Sequence, residues 1–254
     1  MIPLSDDNPT LRTPIVTIAL LLLIGAIWVF VQGAGLDTRT LAASVCNLGL
    51  IAGEITRMAP VGTAVPLGEG LACHVDAEPI NYLTPLTSMF LHGGWAHVLG
   101  NSLFLWIFGN NVEDSMGRLR FVVFYLVCGL AAAAAQVIAD PASPVPMVGA
   151  SGAISGVMGA YLVLYPTARV NMLFIFVVIV RVISVPAWLV LLYWFGIQAL
   201  AALPQLSGAQ TGMSSGVAVI AHVGGFVTGV VLVKLFENRS LVEARAYERR
   251  RRLL

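Results

Sequence analysis

Apolar residues fall along the chain in runs longer than ordinary soluble helices need, separated by short polar connections and one long one. The runs 14–32, Trp95–Val112, Phe121–Ile138, Ser151–Tyr165, Pro186–Leu203 and Val217–Phe236 approach or reach the ~20 residues a helix needs to cross a hydrocarbon core. They predict an all-α, polytopic bundle of six transmembrane helices in one domain. The first run is 19 residues, longer than a signal-peptide core, and no basic segment of the usual kind precedes it, so it reads as a retained first helix. The long connection, 33–92, mixes Gly, Pro and charge with amphipathic stretches such as Leu41–Met58. Loops of that length are usually functional or disordered, and the half-apolar content predicts a structured outer loop partly embedded at the membrane surface.

Two stretches depart from the simple pattern. Val170–Val185 is apolar and rich in β-branched residues, but the part between Arg169 and Arg181 is too short to cross a core ~30 Å thick at about 1.5 Å per residue. It is expected to be an interfacial or partly extended connection. The run Ser151–Tyr165 is 15 residues, or roughly 22 Å of helix, and Pro166 ends it. Ser151 should therefore lie below the membrane surface. The preceding Asp140–Val148, with Pro141, Pro144 and Pro146, must dip inward as a loop, and irregular backbone at that depth is tolerated only in protein or beside a water-filled cavity.

Composition sharpens the class. With 58% hydrophobic and 11% charged residues and a mean hydropathy of +0.87, the chain is far more apolar than a soluble domain, which is about a quarter charged. No basic patch with interleaved aromatics is present, which argues against a nucleic-acid partner. If both termini are cytoplasmic, Arg12, Arg118, Arg120, Arg169, Arg181, Lys234, Arg239, Arg245 and Arg249–Arg252 lie inside, and Arg39 and Arg57 outside. The positive-inside rule favours that topology, as an integral, multi-pass protein of the plasma (bacterial inner) membrane. Segment 1–13 is then a cytoplasmic N-terminal segment, and 237–254 a basic cytoplasmic tail whose four arginines lie near anionic lipid. Asp37, Glu54, Glu69, Asp76 and Glu78 face outward. Cys46 and Cys73 share the outer loop, where a disulfide and two free thiols are both compatible with the sequence; Cys128 reads as packing.

Polar groups inside apolar runs are expensive and mark function by default. Ser151 stands at the start of the fourth run and His222 inside the sixth. A serine hydroxyl is a weak nucleophile until a base takes its proton, and a neutral imidazole suits that task. Small residues at four-residue spacing, Gly152 with Gly156 and Gly225 with Gly229, let membrane helices approach closely, and His222 shares a face with Gly225. No acid is placed to orient the histidine, so a Ser151–His222 dyad is expected rather than a triad. His97 and Asn101, i and i+4 on one face, and the backbone N–H of Ser151 at its helix N-terminus are the candidate oxyanion donors. Each has a bland alternative: a helix cap, helix packing, a structural histidine. A zinc site from His92, His97 and His222 matches no common metal spacing, and neither metal nor cofactor is expected.

Three separated motifs, Thr87–Asn101 with the core His92-Gly93-Gly94-Trp95-Ala96-His97-Val98-Leu99-Gly100-Asn101, then Gly149-Ala150-Ser151-Gly152, then Ala221-His222-Val223-Gly224-Gly225 with Gly229, resemble the rhomboid intramembrane serine proteases. The resemblance runs from about Thr84 to Phe236. It implies a six-helix bundle that cleaves transmembrane segments near the outer face, with Ser151 as nucleophile, His222 as base and acid, and His97 and Asn101 as oxyanion donors. It further implies supporting parts for His92, Gly149, Gly152, Gly225 and Gly229, and a bracing part for Glu113. Where many relatives stack an aromatic on the catalytic histidine, this chain has Ser155, and its outer loop lacks the Trp-Arg pair of many relatives.

The expected partners are transmembrane protein substrates and the lipid bilayer. Substrate segments must unwind to expose a carbonyl, which favours Gly, Ala and other helix-weakening residues. The fifth helix (185–203) and the loop 207–216 are the expected gate. Two rival readings are a catalytically silent relative that escorts membrane proteins, which typically lacks the serine or histidine, and a small transporter, for which neither an internal repeat nor an intramembrane carboxylate is present.

Overall fold

The computed structural model describes residues 2–68, 70–176, 179–206 and 218–251. In chain order, strand β1 (Ile2–Asp6) leads to α1 (Ile15–Phe30). The long connection then carries α2 (Thr38–Leu48), β2 (Leu50–Ile51), α3 (Ala52–Ile55), β3 (Ala64–Gly68), β4 (Leu71–His74) and α4 (Thr84–Thr87). Next come α5 (Trp95–Phe104), α6 (Asn110–Met116), α7 (Arg118–Ala139), β5 (Pro146–Met147), α8 (Ser151–Leu164), β6 (Arg169–Phe176) and β7 (Ile179–Pro186). The chain closes with α9 (Ala187–Leu206), α10 (Val219–Phe236) and α11 (Arg239–Arg251). A π-turn over Leu105–Gly109 joins α5 to α6, and Gly117, at φ +82°, lets the chain turn from α6 into α7.

Among the described residues, α7, α9 and α10 are each long and apolar enough to cross a membrane, while α1 and α8 are shorter apolar helices. This is an integral membrane protein. α8 occupies the centre: every residue from Ala153 to Tyr161 is buried, as expected of a helix surrounded on all sides. Small residues make that position accessible to its neighbours. A Cβ added at Gly225 would come within 2.0 Å of the Gly152 carbonyl oxygen, and one at Gly229 within 1.9 Å of the Gly156 oxygen. α8 and α10 thus touch backbone to backbone, the geometry small-residue spacing permits. Phe108, Phe121, Phe124, Tyr125, Tyr161 and Trp28 are the largest side chains in the surrounding core.

The molecule is mostly helical but not all-α. The stretch 170–185 forms the β6–β7 hairpin, with Arg169 opposite Pro186 and Phe176 opposite Ile179, and β1 adds antiparallel to β6. β-branched residues suit this pleated surface, and hairpin pairing satisfies backbone groups that a short span would leave bare. The N-terminal segment thus contributes an edge strand, Ile2–Asp6. The segment beyond 237 is also docked: α11 turns the Arg245 guanidinium inward, where it donates to Asp114 Oδ2, to Asn111 Oδ1 at 2.7 Å and to Asn8 Oδ1 at 3.1 Å. Arg245 therefore faces buried carboxylate and amide.

The long connection is folded. Asp37 caps α2 by accepting from the Arg39 and Thr40 backbone N–H groups, the β3–β4 hairpin follows, and Cys46 and Cys73 are joined in a disulfide. β2 pairs with β5, which ties this connection to the loop preceding Ser151.

Candidate active site

α8 begins at Ser151 and is 14 residues long, about 21 Å of helix, against 22 residues for α7. Gly152, the second residue of α8, packs against Ala132 while α7 runs on to Ala139, so the α8 N-terminus is set back from the end of its longer neighbour, and a cavity of about 540 Å³ lies there, lined among others by Ser88, His97, Asn101, Gly149, Ser151, Trp194, Gln198 and His222. Gly149, at φ +131°, makes the turn into the helix, and its N–H donates to the Ser88 carbonyl at 2.9 Å. A Cβ at Gly149 would sit 2.7 Å from His97 Nε2 and 3.4 Å from Ser151 Oγ. Only glycine fits here, on both backbone and steric grounds.

The backbone contact at Gly225 sets His222, three residues earlier on α10, beside the start of α8. The Ser151 hydroxyl lies 2.7 Å from His222 Nε2, and His222 Nδ1 lies 2.9 Å from Gln198 Oε1. An amide oxygen only accepts, so this pairing calls for an N–H at Nδ1, and in a neutral imidazole of that tautomer Nε2 is free to accept from Ser151. His97 has the complementary arrangement: its Nδ1 accepts from the Gly93 N–H at 3.3 Å, which leaves Nε2–H as the donor beside Gly149. Asn101 is 8% exposed, and its Nδ2 is buried with no hydrogen-bond partner among the described residues. The N–H of Ser151, in the first turn of α8, has no intrahelical acceptor. Three donors therefore border the cavity that holds the Ser151 hydroxyl.

His92 is fully buried and meets the His97 ring edge-on, centroids 5.0 Å apart. Its backbone is clamped by Gln32, whose Oε1 accepts from His92 N and whose Nε2 donates to His92 O, both at 2.8 Å. Among the described residues no three His, Cys, Asp or Glu side chains converge as a metal would require, and His222 commits both ring nitrogens to Ser151 and Gln198. Gly152 faces Ala132 on α7, where a Cβ would come within 2.7 Å. Glu113 lies at the opposite end of the bundle, accepting from the Val16 and Thr17 N–H groups and the Thr17 hydroxyl at 2.8–3.0 Å. Its carboxylate ties α6 to the positive N-terminus of α1.

Two groups at the site carried no role in the sequence reading. Ser155, where an aromatic was sought, donates its hydroxyl back to the Ser151 carbonyl at 2.6 Å. The ring against His222 comes instead from α9: Trp194, with centroids 5.9 Å apart and planes 38° apart. Gln198 is on the same helix four residues later. The signal for it was present, since it is the single amide in the run Pro186–Leu203 and an intramembrane polar residue is a site candidate by default. The gate loop 207–216 lies outside the described residues.

The rhomboid domain family model matches residues 81–239, well over half of the chain. The chain belongs to the rhomboid family. It is 44% identical over 77 residues to the rhomboid protease GluP of Bacillus subtilis, covering 30% of this chain and 15% of that one. To rhomboid-like protein 11, chloroplastic, of Arabidopsis thaliana it is 33% identical over 155 residues, 60% of this chain and 52% of the relative. A third relative, the putative rhomboid protease YdcA of Bacillus subtilis, is 36% identical over 77 residues, 30% of this chain and 38% of that one. In each case the match spans no more than about half of the relative's length.

Proposed function

We propose that this rhomboid is an intramembrane serine endopeptidase that cleaves transmembrane segments through a Ser151–His222 dyad. The observation that carries this reading is the 2.7 Å contact between Ser151 Oγ and His222 Nε2 in a cavity bordered by otherwise uncommitted donors. Ser151 Oγ attacks the scissile carbonyl as Nε2 takes its proton. The oxyanion of the tetrahedral intermediate is met by the Ser151 N–H, His97 Nε2–H and Asn101 Nδ2. The imidazolium then protonates the leaving amine, and water hydrolyses the acyl-enzyme by the same route.

The charge distribution supports a topology with six spans, both termini cytoplasmic and the cavity near the outer face. Substrate segments that unwind readily at that depth, rich in Gly or Ala, are cleaved preferentially because an intact helix hides its carbonyls. α9 borders the cavity and is the least buried of the three long helices, at 17% of its apolar window against 39% for α7 and α10, which favours it as the side of substrate entry.

The test is cleavage of a single-span reporter by purified protein in liposomes. Wild type is expected to cut and Ser151→Ala to be silent. Equal cutting by both would refute the reading, and so would a wild type that leaves every one of a helix-weakened reporter series intact.

A further inference from the structure

The base of the proposed dyad is held from a helix to which the sequence reading gave no chemistry. Gln198 and Trp194 are i and i−4 on α9, hence on one face, and that face meets His222. Trp194 lies beside the imidazole with ring centroids 5.9 Å apart, but an aromatic plane does not distinguish one ring nitrogen from the other. The Gln198 Oε1 contact at 2.9 Å does, because an imidazole faces an amide oxygen only with an N–H.

That choice matters to the chemistry. With the proton on Nδ1, the Nε2 lone pair points at Ser151 Oγ. With the proton on Nε2, or with the ring flipped, Ser151 meets an N–H and has no base. Carboxylates fix this tautomer in Ser-His-Asp sites. Here the neutral Gln198 amide, at the cavity wall, offers an acceptor to the same ring nitrogen.

We infer that Gln198 is the positioning residue of the dyad, holding the proton on His222 Nδ1 so that Nε2 stays free to accept from Ser151. This rests on the dyad reading for its catalytic consequence, but not for the location of the proton. The experiment therefore has two arms. In the first, nitrogen NMR of histidine-labelled protein, with His222 assigned by His222→Ala, reads which ring nitrogen carries hydrogen. Nδ1 is expected, and protonation at Nε2 overturns the inference whether or not the protein cleaves anything.

In the second arm, Gln198→Met keeps length and bulk but removes the acceptor, and Gln198→Glu restores one. The Met variant should lose roughly tenfold in kcat, the scale of one net hydrogen bond, with KM within about twofold, while the Glu variant recovers most of the loss. An unchanged kcat in the Met variant, a loss confined to KM, or a Glu variant as slow as Met would each overturn the inference. Ser151→Ala run alongside separates the two failures. If it cleaves like wild type, the dyad reading falls, whereas a silent Ser151→Ala beside a fully active Gln198→Met removes only the role given to Gln198.

Discussion

At the end of the bundle that carries both termini, Asp114 accepts from Leu11 N at 2.8 Å, from Arg12 Nε at 3.0 Å and from Arg245, and Glu113 accepts from three donors of α1. At the other end Asn101 Nδ2 is equally buried and has no partner among the described residues, and His97 Nε2 faces a cavity. Burying a polar group without a partner costs stability. One end is thus saturated with contacts that hold the helices together, while the other leaves donors without partners among the described residues, the arrangement that the proposed mechanism requires for a charge developing only during reaction.

The largest effect should come from breaking the paired end. Asp114→Ala leaves the Arg245 guanidinium, with its side chain 7% exposed, without its counter-charge, and loss of one partner of a buried ion pair costs about 3–5 kcal/mol. Thermal unfolding in detergent should show a large drop, whereas cleavage per folded molecule stays near wild type. The reciprocal change is Asn101→Ala at the uncommitted end. It should lower kcat by about 100- to 1,000-fold, the effect of one oxyanion donor, with unfolding temperature unchanged or raised. A large stability loss there would mean that Asn101 is structural.

A smaller effect links the two ends. Gly225→Ala pushes a methyl into the Gly152 carbonyl. Overpacking of this kind typically costs about 1–3 kcal/mol, and here relief requires α10 to move from α8, carrying His222 away from Ser151. Activity should fall by more than stability accounts for, read as turnover against unfolding temperature.

The smallest effect is expected from pH. Asp6 accepts from Asn111 and Tyr161, and burial is the main cause that raises its carboxyl from 3.8 to about 6. A folded-state value above the unfolded one means the folded protein holds the proton more tightly. This contribution is therefore complete below pH ~4 and is lost as pH rises to about 6. Amide exchange in β1, corrected for intrinsic rate, should become faster across that window, and Asp6→Asn should flatten the change.

What was legible in the sequence is what depends on local spacing. Gly152 and Gly156 against Gly225 and Gly229 indicated a close crossing, and a serine at the start of one apolar run and a single histidine inside another indicated what that crossing brings together. The β-branched stretch 170–185 read as an interfacial or partly extended connection because its part between Arg169 and Arg181 was too short to span. Less legible were pairings with no local correlate. Nothing near Arg245 indicates that its partner lies 131 residues earlier, so 237–254 read only as a basic cytoplasmic tail and 1–13 only as a cytoplasmic N-terminal segment. Gln198 stood out as a polar residue in an apolar run, but its partner on α10 becomes visible only once the α9–α10 packing is known. The ring sought for His222 at Ser155 stands instead on α9, as Trp194, and no pattern local to Ser155 points to a residue on another helix.

The most direct test of the central claim is the reaction of wild-type protein with a fluorophosphonate, followed by mapping of the adduct. The account predicts a phosphonyl group on Ser151, absent in Ser151→Ala and greatly slowed in His222→Ala. An adduct on another serine such as Ser88, equal labelling of wild type and His222→Ala, or no adduct on Ser151 at all would contradict it.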